Sequence, residues 1–353
     1  MSKTVCVTGG SGFLGSWIVK MLLEKGNYAV RATTRKRAKA EFLTNFSGAK
    51  DQLTIVDGCD FDSPASFDNA IDGCDAVIHC ASPFFNKGGT RDNLATPAIA
   101  GTELVLNTCH KLGVKQVTMT SSSASVIIDY GQKAAASPTG NHVYTAEDFS
   151  PADVLEEKQN WYALSKLLSE KRAWELAKEH SYDLCVLNPS LIWGPQTPGQ
   201  THLNTSAEAI MAYMDGTHKL IQNGVRCVVD VRDVAKAHIV PIEKNIGWGK
   251  RYLLFGGAPH FKETAMYVRQ ALEKSSHPAA EDMVSKVPTE LDPELMATVM
   301  GPPADKPLLY DVSPAEKDLG IEFHSVEDMV TTCVNELLNN GFTGSDQYDP
   351  TKL

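Results

Sequence analysis

The chain reads Thr8-Gly9-Gly10-Ser11-Gly12-Phe13-Leu14-Gly15 directly after an apolar, β-branched run at residues 4–8. The glycines at 9, 12 and 15 therefore fall between a predicted strand and a predicted helix. In that setting the missing side chains allow a tight turn and a backbone close to a pyrophosphate, while the helix N-terminus attracts the negative charge. The stretch predicts a dinucleotide-binding unit at the start of the chain.

Apolar, β-branched runs alternate with helical segments through the first half of the sequence. Predicted strands lie at residues 4–8, 29–33, 53–56, 76–80, 116–120 and 184–187, and predicted helices at 15–25, 102–111 and 162–180. This alternation is typical of a parallel sheet covered by helices on both faces. We expect an α/β fold, a Rossmann-type doubly wound parallel sheet with a smaller, interleaved substrate-binding lobe.

The predicted domain boundaries follow a change of pattern after Pro189. Glycine and proline at 194, 195, 198 and 199 make the next stretch rich in turns, and prolines punctuate the last third of the chain. We assign residues 1–190 to the dinucleotide-binding domain and expect strands at about 226–257 to return to it. The substrate-binding lobe then comprises 191–225 and 258–340, and 341–353 form a polar tail.

Composition excludes several classes of partner. The 353 residues carry 43 acidic and 33 basic side chains, with no long basic run that would neutralise a nucleic-acid backbone. No apolar run approaches the roughly 20 residues that cross a bilayer, and we expect no leader sequence before the first strand. We expect a cytoplasmic monomer or homodimer that acts on a small molecule. Eight cysteines and ten histidines lack metal-ligand spacing, so we expect reduced thiols and no metal.

The end of the second predicted strand indicates which dinucleotide binds. An acidic residue there would bind a ribose 2′-hydroxyl, whereas a basic residue would accept a 2′-phosphate. The chain has no carboxylate on this segment before Glu41, and basic residues gather at positions 31, 35, 36, 37 and 39. We expect NADPH rather than NADH, with Arg35 as the first candidate for the phosphate ligand and Lys36 beside it.

Two further strand ends are candidates for cofactor contacts. Asp60 follows the third strand, where its carboxylate could accept a hydrogen bond from the adenine amino group, and Phe61 stands beside it. The fourth strand ends in Cys80 and continues into Ala81, Ser82 and Pro83, small residues that suit a backbone close to a pyrophosphate.

The segment Trp161-Tyr162-Ala163-Leu164-Ser165-Lys166 carries the candidate chemistry. Tyr162 and Lys166 are four residues apart in a predicted helix, so both face the same way. A phenol has a pKa near 10, and proton exchange near neutrality requires a shift of about 3 units, or about 4 kcal/mol. A lysine ammonium and the cation of an oxidised nicotinamide favour the phenolate. Serines at 121, 122 and 123 end the fifth strand and offer hydroxyls for the substrate oxygen.

Taken together, these motifs resemble the extended short-chain dehydrogenases/reductases, in the group of dihydroflavonol reductases and cinnamoyl-CoA reductases. The resemblance covers about residues 3–255 and rests on residues 8–15, 31–35, 160–166 and 188–195. It implies a catalytic set of Ser122, Tyr162 and Lys166, with Ser123 as the alternative serine. Tyr162 would give its proton to the nascent alkoxide, and Lys166 would also hold the ribose hydroxyls.

The same resemblance completes the candidate cofactor site. It places Pro189, Ser190 and Ile192 beside the nicotinamide. The full set of candidate cofactor contacts is Gly9, Ser11, Gly12, Phe13, Leu14, Gly15, Arg35, Lys36, Asp60, Phe61, Ala81, Ser82, Pro83, Thr120, Ser121, Tyr162, Lys166, Pro189, Ser190 and Ile192. It also presents Asp230, Arg232 and Asp233 as an ion-paired hinge rather than chemistry.

Sequence differences from this group narrow the range of expected substrates. Cinnamoyl-CoA reductases read Asn-Trp-Tyr-Cys-Tyr-Gly-Lys around the catalytic pair, and this chain has Ala163, Leu164 and Ser165 in the middle, which argues against a CoA thioester. We expect an NADPH-dependent reductase of an aldehyde or ketone, of dihydroflavonol, cinnamaldehyde or phenylacetaldehyde type or a small carbonyl compound. The alternatives are an NAD-dependent nucleotide-sugar epimerase or dehydratase, a hydroxysteroid dehydrogenase, and an NADP(H)-binding redox sensor without catalysis.

Overall fold

The computed structural model describes residues 2–63, 65–82, 90–129, 131–137, 142–296 and 309–344. Pro83 and residues 345–353 of the predicted tail lie outside these ranges. Two compact units are formed from interleaved segments. Unit 1 comprises Met1–Pro189, Val234–Leu254 and Tyr310–Ile321, and unit 2 comprises Ser190–Asp233, Phe255–Leu309 and Glu322–Leu353.

The helices and strands follow the expected alternation. The strands are β1 (Lys3–Thr8), β2 (Tyr28–Thr33), β3 (Leu53–Val56), β4 (Ala76–His79), β5 (Gln116–Thr120), β6 (Val143–Tyr144), β7 (Asp183–Pro189), β8 (Leu191–Trp193), β9 (Ile221–Asn223), β10 (Val228–Asp230), β11 (Lys250–Leu254), β12 (Leu291–Met296) and β13 (Leu309–Tyr310). The helices are α1 (Phe13–Lys25), α2 (Ala49–Gln52), α3 (Asp68–Ile71), α4 (Thr96–Lys111), α5 (Ala124–Ile127), α6 (Gln132–Ala136), α7 (Ala152–Glu157), α8 (Trp161–His180), α9 (Thr205–Met214), α10 (Val231–Lys244), α11 (Phe261–Lys274), α12 (Ala280–Lys286), α13 (Ser313–Leu319) and α14 (Val326–Asn339). Short 3₁₀ turns lie at Arg37–Lys39 and Glu41–Asn45, and a π-helical turn at Arg91–Ala95 precedes α4.

Unit 1 contains a parallel sheet whose described strands run in the order β11-β7-β5-β4-β1-β2-β3. The chain order reverses on either side of β1, which pairs with both β2 and β4. Val5 lies opposite Val30 on one side and Ala76 on the other. In a doubly wound sheet this reversal opens a crevice at the carboxyl ends of the strands, the usual place for a dinucleotide. The predicted Rossmann-type sheet is confirmed.

Burial explains why these runs form strands of a covered sheet. Val5, Cys6 and Val7 in β1 are fully buried, and β4 is buried along its whole length. Side chains on both faces of such strands are apolar because helices cover both faces. All eight cysteines lie among the described residues and none is in a disulfide, and seven of them are buried.

Unit 2 has its own apolar core and its own short strands. Trp193 of β8 and Val228 of β10 pack with residues of α9, α11, α12 and α14 in one cluster. β10 pairs in parallel with β8, with Val228 opposite Leu191, and β12 pairs with β9.

The segment at about 226–257 differs from its prediction. β11 joins the large sheet beside β7, whereas β10 stays within unit 2 because its partner strand and its apolar neighbours are there. β10 is short, because α10 begins at Val231 directly after it. Asp230 directs the change, because its carboxylate accepts hydrogen bonds from the backbone N–H and side chain of Arg232 at 2.8 Å.

Within the described ranges, no helix combines the length and the apolar character needed to cross a membrane. In the same part of the chain, no cluster of three or more His, Cys, Asp or Glu side chains has the arrangement of a metal site.

Candidate active site

The glycine turn between β1 and α1 leaves no room for a side chain at Gly10 or Gly15. A Cβ on Gly15 would lie 2.2 Å from the Gly9 carbonyl oxygen, and a Cβ on Gly10 would lie 2.7 Å from the Ala32 Cβ. Gly9 also has φ +69°, in the left-handed region that favours glycine. The requirement for glycine at these positions is therefore steric and conformational.

Hydrogen bonds fix this turn against the end of β2. The Gly10 N–H donates to the Thr33 carbonyl at 3.0 Å, and the Gly9 N–H donates to the Thr33 hydroxyl at 3.1 Å. The Ser11 hydroxyl lies 3.2 Å from that of Thr34. α1 then begins at Phe13 with no acidic residue in its first turn. A bare backbone, a free helix N-terminus and no competing carboxylate fit a dinucleotide pyrophosphate.

The structure separates the basic residues near the end of β2 by their contacts. The Arg31 guanidinium donates to the Asn69, Ala70 and Asp72 carbonyls at the end of α3, so it stabilises that helix terminus. Arg37 forms an ion pair with Glu41 at 2.9 Å. Arg35 and Lys36, the two predicted phosphate ligands, are exposed directly after the buried pair Thr33 and Thr34.

The candidates beyond β3 and β4 occupy different environments. Asp60 is exposed and accepts a hydrogen bond from the Asp62 N–H at 3.2 Å. Phe61 stacks on Phe67 with ring centroids 5.7 Å apart, so it contributes to packing whatever else it contacts. The loop after β4 is shaped by the Thr8 hydroxyl, which accepts hydrogen bonds from the N–H groups of Cys80 and Ala81 at 3.2 and 3.1 Å.

The catalytic candidates come together after the last residue of β5 and in the first turns of α8. α8 begins at Trp161 because the Asn160 side chain accepts a hydrogen bond from the Ala163 N–H at 3.2 Å, which caps the helix. Tyr162 and Lys166 follow one turn apart, and the Tyr162 hydroxyl is hydrogen-bonded to the Ser122 hydroxyl. Of the two serines that the sequence leaves open, this contact favours Ser122.

Burial sets the protonation of this pair. It raises the pKa of Tyr162, and the hydrogen bond from Ser122 acts against that rise because it stabilises the phenolate. Burial lowers the pKa of Lys166 to about 8, with a smaller opposing effect from Cys80. Near neutral pH the site therefore combines a protonated phenol with an ammonium group whose pKa lies close to neutrality.

Polar contacts around the site join the predicted contact Thr120 to residues that no sequence motif indicates. Thr120 places its hydroxyl 2.8 Å from His238 Nε2 and 3.3 Å from Cys80 Sγ, and His79 Nδ1 lies 2.9 Å from the Thr8 hydroxyl. Burial lowers the pKa of each of these two histidines to about 3, so both are neutral.

Glu170 is a polar residue near the site that no sequence motif indicates. It is fully buried on α8, one turn beyond Lys166, and forms an ion pair with Arg251 of β11. A repeat of Tyr162, Lys166 and Glu170 every four residues was visible in the sequence. A carboxylate on the inward face of the helix is the signal that pointed to a partner.

The candidates after β7 divide between the two units. Pro189 is the last residue of β7 in unit 1, and its carbonyl accepts a hydrogen bond from the Ser123 N–H at 2.8 Å. Ser190 and Ile192 belong to unit 2. There Arg232 bridges Asp230 and Asp328, and Asp233 pairs with His324, so the ion pairing expected for this segment is present.

The doubly wound sheet, the glycine turn and the Ser122-Tyr162-Lys166 arrangement define a short-chain dehydrogenase/reductase of the extended type. The sequence model of the NAD dependent epimerase/dehydratase family matches residues 5–254, and the chain belongs to that family.

Individual relatives match over nearly the whole chain. The chain is 35% identical over 341 residues to cinnamoyl-CoA reductase 1 of Arabidopsis thaliana, and this match covers 96% of the chain and 90% of that protein. The structure of Gre2 from Candida albicans in complex with NADPH matches with a TM-score of 0.77 and 29% identity, covering 96% and 99% of the two chains. The yeast methylglyoxal/isovaleraldehyde reductase Gre2, also complexed with NADPH, matches with a TM-score of 0.76 and 26% identity, covering 96% and 99%.

Proposed function

We propose that the chain is an NADPH-dependent reductase that converts an aldehyde or ketone to the alcohol. The observation that carries the proposal is the hydrogen bond between Ser122 and Tyr162, one helical turn from Lys166. An acid, its hydrogen-bond partner and a cation at the carboxyl edge of a dinucleotide-binding sheet are suited to reduction of a carbonyl group.

Each residue of the set has a separate task. Bound NADPH supplies the hydride. Tyr162 donates its proton to the oxygen that becomes the alcohol, and its raised pKa keeps the phenol protonated until that oxygen gains charge. Lys166 stabilises the phenolate left after transfer, and Ser122 hydrogen-bonds the carbonyl oxygen and holds it against the phenol.

The residues that would hold the cofactor follow the strand ends. The backbone of Gly9, Ser11 and Gly12, with Phe13, Leu14 and Gly15 at the start of α1, would surround the pyrophosphate. Arg35 and Lys36 would bind the 2′-phosphate. The remaining proposed contacts are Asp60, Phe61, Ala81, Ser82, Pro83, Thr120, Ser121, Pro189, Ser190 and Ile192.

The substrate is proposed by chemical class. The relatives include a cinnamoyl-CoA reductase and a methylglyoxal/isovaleraldehyde reductase, which share reduction of a carbonyl group. The residues Ala163, Leu164 and Ser165 between the catalytic pair favour a free aldehyde or ketone over a CoA thioester.

The test is the initial rate of NADPH oxidation by the purified chain. The substrates are aliphatic and aromatic aldehydes, α-dicarbonyls, a dihydroflavonol and a hydroxycinnamoyl-CoA, each with NADPH and with NADH. We expect turnover of at least one free carbonyl compound with NADPH preferred. Arg35→Ala should weaken the binding of NADPH more than the binding of NADH. Arg37→Ala, which removes an arginine paired with Glu41, should leave the preference for NADPH unchanged.

Other results would contradict the proposal in distinct ways. Tight NADPH binding without turnover of any substrate would indicate a redox sensor. Tight binding of NAD with conversion of a nucleotide sugar would indicate an epimerase or dehydratase. Turnover of the CoA thioester alone would overturn the preference for a free carbonyl.

A further inference from the structure

Glu170 stands at the centre of a buried polar cluster directly behind the proposed catalytic serine. Its Oε2 accepts hydrogen bonds from the hydroxyls of Ser121 and Ser125 at 2.5 and 2.8 Å, and from the Asn188 amide at 2.8 Å. Its Oε1 accepts from Arg251 and, at 3.4 Å, from Trp174. Every one of these contacts places a donor on a carboxylate oxygen.

The donors surround Ser122 in sequence and in space. Ser121 and Ser125 flank it in the chain, and the Asn188 amide also reaches the Ser122 carbonyl oxygen at 3.3 Å. The Ser122 hydroxyl itself accepts a hydrogen bond from the Ala124 N–H at 3.1 Å. The loop that carries the proposed catalytic hydroxyl is therefore attached to Glu170 from both sides.

Arg251 balances the buried charge and anchors it to a third segment. Its side chain is 8% exposed, donates to the carbonyl oxygens of Ala146 and Asp148, and lies 3.8 Å over the Phe149 ring. A buried carboxylate is costly unless it is paired and hydrogen-bonded, so this set of contacts is expected to hold one geometry.

We infer that Glu170, held by Arg251, is a positioning residue that fixes Ser122 against Tyr162. This inference rests on the proposed function, because it assigns Glu170 a part in controlling proton transfer by Tyr162. Tyr162, Lys166 and Glu170 lie at four-residue intervals on one helix, so the same helix that presents the acid also holds the loop of its hydrogen-bond partner. Glu170 acts through Ser122 and touches no reacting atom.

The inference predicts a pH effect that a purely structural role would not produce. The Ser122 hydrogen bond stabilises the Tyr162 phenolate, and loss of its geometry should raise the pKa of the phenol. The cation of NADP⁺ favours the phenolate, so NADP⁺ should bind more tightly as the phenol loses its proton. We therefore expect the rise in NADP⁺ affinity to occur at higher pH, by about one unit, when the Glu170 contacts are lost.

The experiment measures the dissociation constant of NADP⁺ from pH 6 to 10 by calorimetry, without substrate. The Lys166 ammonium has a pKa of about 8 and titrates in the same range, so each protein is also measured with Lys166→Arg, in which that charge is permanent. The variants are Glu170→Gln, in which an amide N–H₂ meets the same donors, and Arg251→Lys, which retains the charge and serves if the first variant does not fold. Glu175→Gln is the matched control, because Glu175 lies on the same helix and pairs with Arg172 at the surface. Ser122→Ala is combined with Glu170→Gln in a double-mutant cycle.

We expect the transition to move up by about one pH unit in Glu170→Gln and in the same direction in Arg251→Lys. The transition should stay at the wild-type pH in Glu175→Gln. In a Ser122→Ala background, Glu170→Gln should cause no additional shift of the transition. A transition that Glu170→Gln and Arg251→Lys leave unchanged, or an undiminished effect in the Ser122→Ala background, overturns the inference alone. A wild-type chain that does not bind NADP⁺ overturns the proposed function and the role of Glu170 with it.

Discussion

At the scale of single residues, the proposed chemistry depends on two pKa values that burial moves in opposite directions. Burial raises the pKa of the Tyr162 phenol and lowers that of the Lys166 ammonium, because each is shifted away from its charged form. For a reductase this suits the acid, which must keep its proton until the substrate oxygen needs it. Of the two groups, the lysine therefore titrates closer to neutral pH.

Tyr162→Phe tests the acid directly. Removing the hydroxyl should lower kcat for carbonyl reduction by about 10²- to 10⁴-fold, the usual contribution of a general acid. NADPH affinity should fall far less than kcat, because the main proposed task of the hydroxyl is to donate its proton to the substrate. Steady-state rates and NADPH fluorescence titration measure the two quantities. Tyr182→Phe is the control, since that hydroxyl donates to the Leu106 carbonyl, and equal losses in both variants would refute the assignment.

Lys166 predicts an alkaline limit to activity. Its pKa of about 8 means that the ammonium loses its proton as pH rises through that value, and stabilisation of the phenolate is lost with it. We expect kcat/KM for reduction to fall above about pH 8. In Lys166→Arg the guanidinium stays charged, so the decline should move upward even though the rate is lower. A decline at the same pH in both proteins would assign it to another group.

At the scale of elements, close contact between two backbone segments determines which residue the β1–α1 turn accepts. Gly15 lies in the first turn of α1 and packs directly on the backbone of Gly9. The proposed dinucleotide site therefore depends on the way a strand, a turn and a helix fit together.

Gly15→Ala should disrupt this fit. Its Cβ would lie 2.2 Å from a carbonyl oxygen, so the turn must move, and we expect NADPH affinity to fall at least tenfold with a lower thermal midpoint. The neighbouring substitution Ser16→Ala removes atoms and adds none, so it controls for changes at the start of α1. Calorimetric titration and thermal unfolding of the two variants decide the matter. Wild-type affinity in Gly15→Ala would show that the turn tolerates the shift.

At the scale of the whole molecule, buried neutral histidines couple stability to pH. His79 and His238 have pKa values of about 3 in the folded chain, against about 6.5 when unfolded. Between these values the unfolded state binds more protons, so the free energy of unfolding falls as pH falls from about 6.5 toward 3.

His238→Gln should flatten that dependence. The variant loses contacts with Thr118 and Thr120, so we expect lower stability at pH 7 and a smaller further loss at pH 4.5 than in the wild type. Urea unfolding at several pH values measures the slopes. His110→Gln, at an exposed histidine, is the matched control. Parallel slopes for wild type and His238→Gln would contradict the prediction.

The sequence by itself determined the doubly wound fold, the glycine turn and the pairing of Tyr162 with Lys166 on one helix face. These features depend on local patterns, namely strand and helix periodicity, glycine spacing and the four-residue repeat. Tertiary structure alone decided that Arg31 stabilises α3, that β10 pairs with β8, that Ser122 contacts Tyr162, and that Glu170 meets Arg251. Glu170 and Arg251 are 81 residues apart. Only tertiary packing brings such distant groups together, and local sequence patterns do not predict which partner a buried charge will have.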